Sequence, residues 1–305
     1  MAYKIFIDGE AGTTGLQIRD RLAGRTDIEL IRIDPARRKD AEARRDALAA
    51  AEVAILCLPD QAARDAVALA DGLDTRFIDA STAHRVADGW TYGFPELSPE
   101  TRRAIPSARF VSNPGCYATG AIALLAPLGD AGLIAADEAL TINAVSGYTG
   151  GGKELIAEME APGAVPHFVY ALAQGHKHLP EVMIHSRLSA RPVFAPAVGN
   201  FAQGMAVQIP LHLEARQTPA QFEDALRAHY AGQGFVKVVT PAEVGARANP
   251  ERLNGTNMLE LSVHPSEDGA RLVLLATLDN LGKGASGAAV QNLNIMLGLP
   301  EAAGL

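Results

Sequence analysis

The stretch Ile5-Phe6-Ile7-Asp8-Gly9-Glu10-Ala11-Gly12-Thr13-Thr14-Gly15 decides the fold. Its apolar run predicts a short strand, and Leu16, Ile18 and Leu22 continue at helical spacing, so the unit reads as strand, glycine turn, helix. Glycines in such a turn let the backbone approach a phosphate and let the helix pack closely on the strand, while the helix N-terminus faces negative charge. The spacing is G-x-x-G-x-x-G rather than the commoner G-x-G-x-x-G, and a plain turn uses glycine too. Its place between a strand and a helix at the start of the chain favours a dinucleotide. Gly9, Gly12, Thr13, Thr14 and Gly15 are the expected cofactor contacts.

Working outward, a second strand over 28–33 ends at Asp34, where an acid would meet the adenosine ribose. Arg37, Arg38 and Lys39 follow at once, and a guanidinium pair there suits a 2′-phosphate. The alternative is a solvated charged loop. NADP is the expected cofactor, delivered as NADPH, with Asp34, Arg37 and Arg38 among its contacts. A helix over 40–51, a strand over 53–59, a helix over 61–70 and a strand over 76–81 continue the alternation. That pattern implies a doubly wound parallel sheet with its ligand at the C-terminal strand ends. Ser81 joins the cofactor set on that rim, beside Asp79 and Thr82, and His84 and Arg85 should face substrate or solvent. Cys57 sits inside an apolar strand and reads as an inert core thiol. The aromatic loop from Trp90 to Glu96 should line a pocket or pack under one.

The other cysteine lies in Ser112-Asn113-Pro114-Gly115-Cys116-Tyr117-Ala118-Thr119, between a strand over 108–111 and a helix over 118–126. A thiol at a helix start meets unpaired N–H groups and the positive end of the dipole, a setting that makes a nucleophile. A small buried hydrophobe is the competing reading. A strand over 140–145 then runs into Ser146-Gly147-Tyr148-Thr149-Gly150-Gly151-Gly152-Lys153, an anion site or a lid. Strands over 204–213, 235–239, 257–263 and 271–278, with one helix over 219–229, predict an α+β domain with an antiparallel-leaning sheet. His176 and His178, read as one face of a strand with His185 beyond, suggest metal at first, but the spacing matches no zinc signature and no metal is expected. One imidazole suffices as a general base for a thiol. The chain closes on Asp279-Asn280-Leu281-Gly282-Lys283-Gly284-Ala285-Ser286, a small-residue loop feeding a helix to Leu297.

The chain has 305 residues, 48% hydrophobic and 20% charged, enough for two domains with sizeable cores. A formal net charge of −8 argues against a nucleic-acid surface, and no apolar run is long enough to span a bilayer. Two cysteines in dissimilar settings form no disulfide framework, so a cytoplasmic location is expected.

These stretches together resemble the short (type 2) N-acetyl-gamma-glutamyl-phosphate reductase family, within the aspartate-semialdehyde dehydrogenase superfamily. The resemblance rests on Gly9 to Gly15, Ser112 to Thr119, Val145-Ser146-Gly147, His176-Lys177-His178-Leu179-Pro180-Glu181, and Asp279 to Asn292. It implies an α/β protein: a Rossmann-type dinucleotide-binding domain of residues 1–115 with 281–305, and an α+β catalytic and dimerisation domain of residues 116–280. It implies NADPH-dependent reductive dephosphorylation of an acyl phosphate, with release of inorganic phosphate, in arginine biosynthesis. Cys116 would carry the acyl group as a thioester, His176 would be its base, with His178 in reserve, and backbone N–H groups at the Cys116 helix start, with Asn113 as a side-chain contributor, would be the oxyanion donors. Ser146, Gly147, His178 and Glu181 would bind substrate, and Asn280, Gly282 and Gly284 would contact the cofactor. Lys177 stands where the family often has arginine. A homodimer or homotetramer is implied as well. An aspartate-semialdehyde dehydrogenase, a cysteine hydrolase or acyltransferase, and a cofactor-binding regulator are the competing readings.

Overall fold

The structure, a computed structural model, describes residues 2–305 in two compact units: one runs to Pro114 and resumes from Ala285 to Leu305, and the other is Gly115–Gly284. The first unit contains β1 (Tyr3–Asp8), α1 (Thr13–Leu22), β2 (Ile28–Ile31), α2 (Ala41–Ala50), β3 (Val53–Leu56), α3 (Asp60–Leu69), β4 (Arg76–Asp79), β5 (Thr91–Tyr92), α4 (Pro99–Ala104), β6 (Phe110–Ser112) and a last helix, Gly287–Leu297. The six strands pair in parallel in the order β2-β1-β3-β4-β6-β5. Alternation along each strand fills two cores. Ile5, Ile7, Val53 and Ile55 pack with Ile18, Leu22, Leu293 and Met296 on one face. Phe6, Ala54 and Leu56 pack with Ala47, Leu48, Ala63 and Ala66 on the other. Both faces are therefore covered by helices, as a parallel sheet requires. Because β1 lies between β2 and β3, the connections diverge there, and the crevice beyond the C-terminal ends of β1 and β3 is a topological switch point.

The second unit contains α5 (Cys116–Asp130), β7 (Thr141–Gly147), α6 (Gly152–Met159), β8 (His167–Val169), α7 (Leu179–His185), β9 (Val193–Gly199), β10 (Met205–His212), α8 (Pro219–His229), β11 (Val236–Val238), α9 (Pro241–Val244), β12 (Leu259–Pro265) and β13 (Arg271–Leu278). Its seven strands run β11-β12-β13-β10-β7-β9-β8 and are mostly antiparallel, with β7–β9 and β11–β12 parallel. α5 is apolar on every side and accordingly buried, pressed against the sheet where a Cβ on Gly120 would come within 2.9 Å of Val207. The opposite face of this sheet is open. Pairing register puts Thr141, Val193, Pro210, His212, Arg271 and Val273 on it, with Val193 and Val273 both solvent-exposed.

Two sequence readings change here. His176 and His178 lie in the turn before α7, not on a strand. β8 and β9 were not foreseen, because β9 carries Pro196 in its middle and a proline normally argues against a strand interior. Among the described residues, no helix is long and apolar enough to cross a membrane.

Candidate active site

The glycine turn of the first unit is shaped by steric necessity. Gly9 has φ +88°, and a Cβ there would lie 2.3 Å from the Cys57 carbonyl oxygen at the end of β3. A Cβ on Gly15 would lie 2.6 Å from the Gly9 carbonyl oxygen, so α1 approaches the turn as closely as backbone allows. Gly12 caps α1 with no side-chain capping hydrogen bond. The N-terminal N–H groups are thus not taken by a side-chain cap, which suits the cradle a pyrophosphate needs, and Thr13 and Thr14 open the helix beside it. The dinucleotide called for by the sequence fits this turn.

On the loop after β2, Asp34 accepts the Ala36 amide at 2.9 Å and so holds the turn that displays Arg37 and Arg38. Both arginines are exposed, and Arg37 reaches only Asp40, at 3.2 Å, a surface pair that a phosphate can displace. Ser81 is buried, donating to Asp79 Oδ2 at 2.8 Å and accepting from the Ala83 amide, so its hydroxyl shapes the rim instead of reaching outward. His84 and Arg85 are buried and do not face solvent. His84 Nδ1 lies 2.6 Å from Asp79 Oδ2 with its ring stacked on Trp90, and Arg85 Nε donates to the Asn113 carbonyl at 3.0 Å. The aromatic loop is packing, with Phe94 and Glu96 buried and Gln291 donating to Glu96 at 2.7 Å. Asn113 braces the first unit: its amide donates to the Ala285 carbonyl at 2.9 Å and its Oδ1 accepts from Asn292 at 3.3 Å.

In the second unit Cys116 is the first residue of α5, after Gly115 as cap, half-buried, with no acidic side chain in the first turn. An anion at a partly buried helix start is favoured by about 1 kcal/mol or more. Cys57 is the opposite case. Burial, and then the charges of Asp79 and Asp8, push its thiol up to about 12, which keeps it neutral and unreactive. Glu181, on α7, accepts the Gly115 amide at 3.1 Å. This bond ties the start of the cysteine helix to α7, and that amide is removed from the candidate oxyanion donors.

An aromatic group surrounds this helix start. Tyr117 donates to the Ala197 carbonyl at 2.9 Å, and its ring meets His176, His178 and Phe194 at 5.8, 5.9 and 5.5 Å between centroids. Burial raises both phenols, Tyr170 to about 12, and a charge on Cys116 pushes in the same direction. Both hydroxyls stay protonated beside a thiolate. His176 is held at two points: its Nδ1 accepts the His178 amide at 3.1 Å, and its Nε2 lies 3.2 Å from Tyr170 Oη. An amide can only donate, so Nδ1 is an acceptor and the neutral ring carries its proton on Nε2. Tyr170 was missed in the sequence. Its one signal was the pair Phe168 and Tyr170 just before the histidines.

Ser146 and Gly147 end β7, with Ser146 buried and a Cβ on Gly147 excluded by the Ala202 carbonyl at 2.5 Å. Asn280 accepts from Gly204 at 2.7 Å and donates to Thr149 at 3.2 Å, all within the second unit. A Cβ on Gly282 would lie 2.1 Å from the Thr256 carbonyl oxygen, and one on Gly284 would lie 2.8 Å from the Cys116 Cβ. Packing against Thr256 and against the start of the cysteine helix thus demands the small residues at Gly282 and Gly284. Lys283 between them is buried, its ammonium 5.6 Å from the Phe235 ring centroid. Among the described residues, no group of three or more His, Cys, Asp or Glu could hold a metal ion.

Comparison with known proteins agrees with this division. Residues 32–105 match the family described as semialdehyde dehydrogenase, NAD binding domain, and residues 116–280 match semialdehyde dehydrogenase, dimerisation domain. N-acetyl-gamma-glutamyl-phosphate reductases of Brucella canis and Brucella abortus are 54% identical to this chain, covering 98% of it and 100% of their own length. Among solved structures, aspartate semialdehyde dehydrogenase II of Vibrio cholerae, complexed with ASA, superposes with a TM-score of 0.72 at 16% identity, over 97% of this chain and 98% of that one. The Candida albicans aspartate semialdehyde dehydrogenase with NADP does so at 0.69 and 13%, over 97% and 99%. At those identities the structures speak for the fold alone.

Proposed function

The chain belongs to the semialdehyde dehydrogenase family, among its N-acetyl-gamma-glutamyl-phosphate reductases, and from that membership we propose how its residues divide the work. The reaction is the NADPH-dependent reductive dephosphorylation of N-acetyl-gamma-glutamyl phosphate to the 5-semialdehyde, in arginine biosynthesis. The observation that carries the assignment of roles is the half-buried cysteine opening α5 without an acidic neighbour in its first turn.

The Cys116 thiolate attacks the acyl-phosphate carbonyl, phosphate leaves, and the acyl group stays on sulfur as a thioester. Gly9, Gly12, Thr13, Thr14 and Gly15, with Arg37 and Arg38 at the 2′-phosphate, would hold NADPH, which when bound would supply the hydride that reduces that thioester. The resulting thiohemiacetal oxyanion expels the thiolate and gives the aldehyde. Charge builds on the same oxygen in both steps, so the site needs donors. His176, with its proton on Nε2, would be such a donor once that proton leaves Tyr170 Oη. In this form it is not a base toward the thiol, so the base role expected from the sequence would require the His178 amide contact to be released. Ser146, Gly147 and His178 are the proposed substrate contacts, and Glu181 acts through Gly115.

The test is the reverse, phosphate-dependent oxidation with NADP, comparing N-acetylglutamate semialdehyde with aspartate semialdehyde. A preference for the aspartate compound would overturn the substrate assignment. In the same assay Arg37→Ala with Arg38→Ala should raise KM for NADP about tenfold to a hundredfold, as lost charge-assisted bonds to phosphate do, and leave that for NAD unchanged. Equal effects on both cofactors would show that these arginines are surface charge only.

A dimerisation domain and a small-molecule substrate go with this membership. That the assembly is a homodimer or homotetramer built on the open sheet face is our proposal, because Val193 and Val273 leave apolar surface there that a second copy would cover. Val273→Asp should halve the mass seen by light scattering, and an unchanged mass would exclude that face. A cytoplasmic location is proposed as well, and cell fractionation would test it.

A further inference from the structure

We propose that Gln174 is a positioning residue for His176. Gln174 is one of three non-glycine residues with a left-handed backbone among the described residues, at φ 60°, and Ala171 at φ 53° is another. Two such residues in one short turn persist only where the surroundings over-determine them. The Gln174 side chain supplies that constraint: its Oε1 accepts the Phe194 amide at 2.8 Å and its Nε2 donates to the Phe194 carbonyl at 3.1 Å. The register explains the geometry. β8 pairs antiparallel with β9, Val169 opposite Ala197, and the ladder ends with the Tyr170 amide on the Pro196 carbonyl at 3.0 Å. Continued, it would bring Leu172 opposite Phe194. The chain turns away instead, Leu172 is left exposed, and the Gln174 carboxamide takes up both backbone groups of Phe194 as a strand residue would.

The consequence falls on the imidazole. Tyr170, at the last rung, meets His176 Nε2, and the Phe194 ring packs edge-on against the His176 ring at 4.9 Å. The Gln174 amide closes the turn between them, so the two groups that flank the His176 ring are locked to the same strand. The inference rests on the reading above that His176 acts in the chemistry.

Gln174→Gly tests it best, because glycine accepts the left-handed backbone while the side-chain clamp is lost. Expected is a fall in kcat of about tenfold to a hundredfold, the cost of misplacing a catalytic group, with KM for NADPH unchanged and the protein still folded. Gln174→Glu keeps the acceptor and loses the donor, and should fall between. In 15N spectra of the histidine rings, the wild-type His176 should show a protonated Nε2 and a bare Nδ1, and Gln174→Gly should show mixed tautomers. Wild-type kcat and an unmixed ring signal in Gln174→Gly would overturn the proposal while leaving the function intact. If His176→Asn proves fully active in the same assay, the assigned role of His176 falls and this inference falls with it.

Discussion

Cys116→Ser should lower kcat for reductive dephosphorylation by about 10⁴-fold or more, on the scale of losing the nucleophile in other covalent enzymes, and leave NADP binding within about twofold. A serine hydroxyl is not ionised by a helix start whose favour for an anion is only about 1 kcal/mol, whereas a thiol needs little more to react. The dinucleotide turn at Gly9 to Gly15 belongs to a separate compact unit, so nothing in the substitution disturbs it. Chemical labelling gives a second reading of the same residue. Iodoacetamide at mildly alkaline pH should label the wild-type protein once, at Cys116. Cys57, pushed up to about 12 by burial, stays a neutral thiol and takes none. Cys116→Ser should then take no label at all. Activity within tenfold of wild type would remove Cys116 from the chemistry, and labelling at Cys57 would show that its thiol ionises more readily than its surroundings allow.

What was legible in the sequence was whatever depends on short-range periodicity. Alternating apolar strands and helices, with Gly9, Gly12 and Gly15 at the first turn, announced the parallel sheet, and Pro114-Gly115 announced the break that puts Cys116 at a helix start. What was not legible depended on distant partners. Pro196 sits in a strand interior because the partner bond it offers is its carbonyl, to Tyr170, which no local rule reveals. Asn280, Gly282 and Gly284 look like a loop shaped for a ligand, yet the space beside the two glycines is taken by Thr256 and Cys116 from far along the chain. His84 and Arg85 carry charge-bearing side chains that a sequence reading sends to the surface, and a single buried carboxylate, Asp79, with the Asn113 carbonyl, draws them inside. The sequence singled out His176, but its tautomer follows from a backbone amide two residues on, a matter of turn geometry.

The glycine turn supports an expected result of comparable size, and one that separates fold from ligand. Gly15→Ala would bring a Cβ to 2.6 Å from the Gly9 carbonyl oxygen and 2.8 Å from the Glu10 Cα, both backbone atoms that cannot swing aside. α1 must then back away from β1, at an overpacking cost of about 1–3 kcal/mol, and the helix-start amides move out of reach of the phosphates. NADP affinity should fall by about a hundredfold or more, since several charge-assisted bonds weaken together, and the melting temperature should fall with it. Gly12→Ala is the informative contrast. Its φ of −77° is ordinary, and its nearest neighbour would be the Gly9 carbonyl oxygen at 3.4 Å, so the protein itself has room for the methyl group. Stability should therefore be unchanged, and any loss of NADP affinity, measured by titration calorimetry, must come from the methyl group meeting the bound pyrophosphate. If Gly12→Ala binds NADP as the wild type does, the space over the start of α1 is not where the phosphates lie, and the cradle assigned to this turn is wrong.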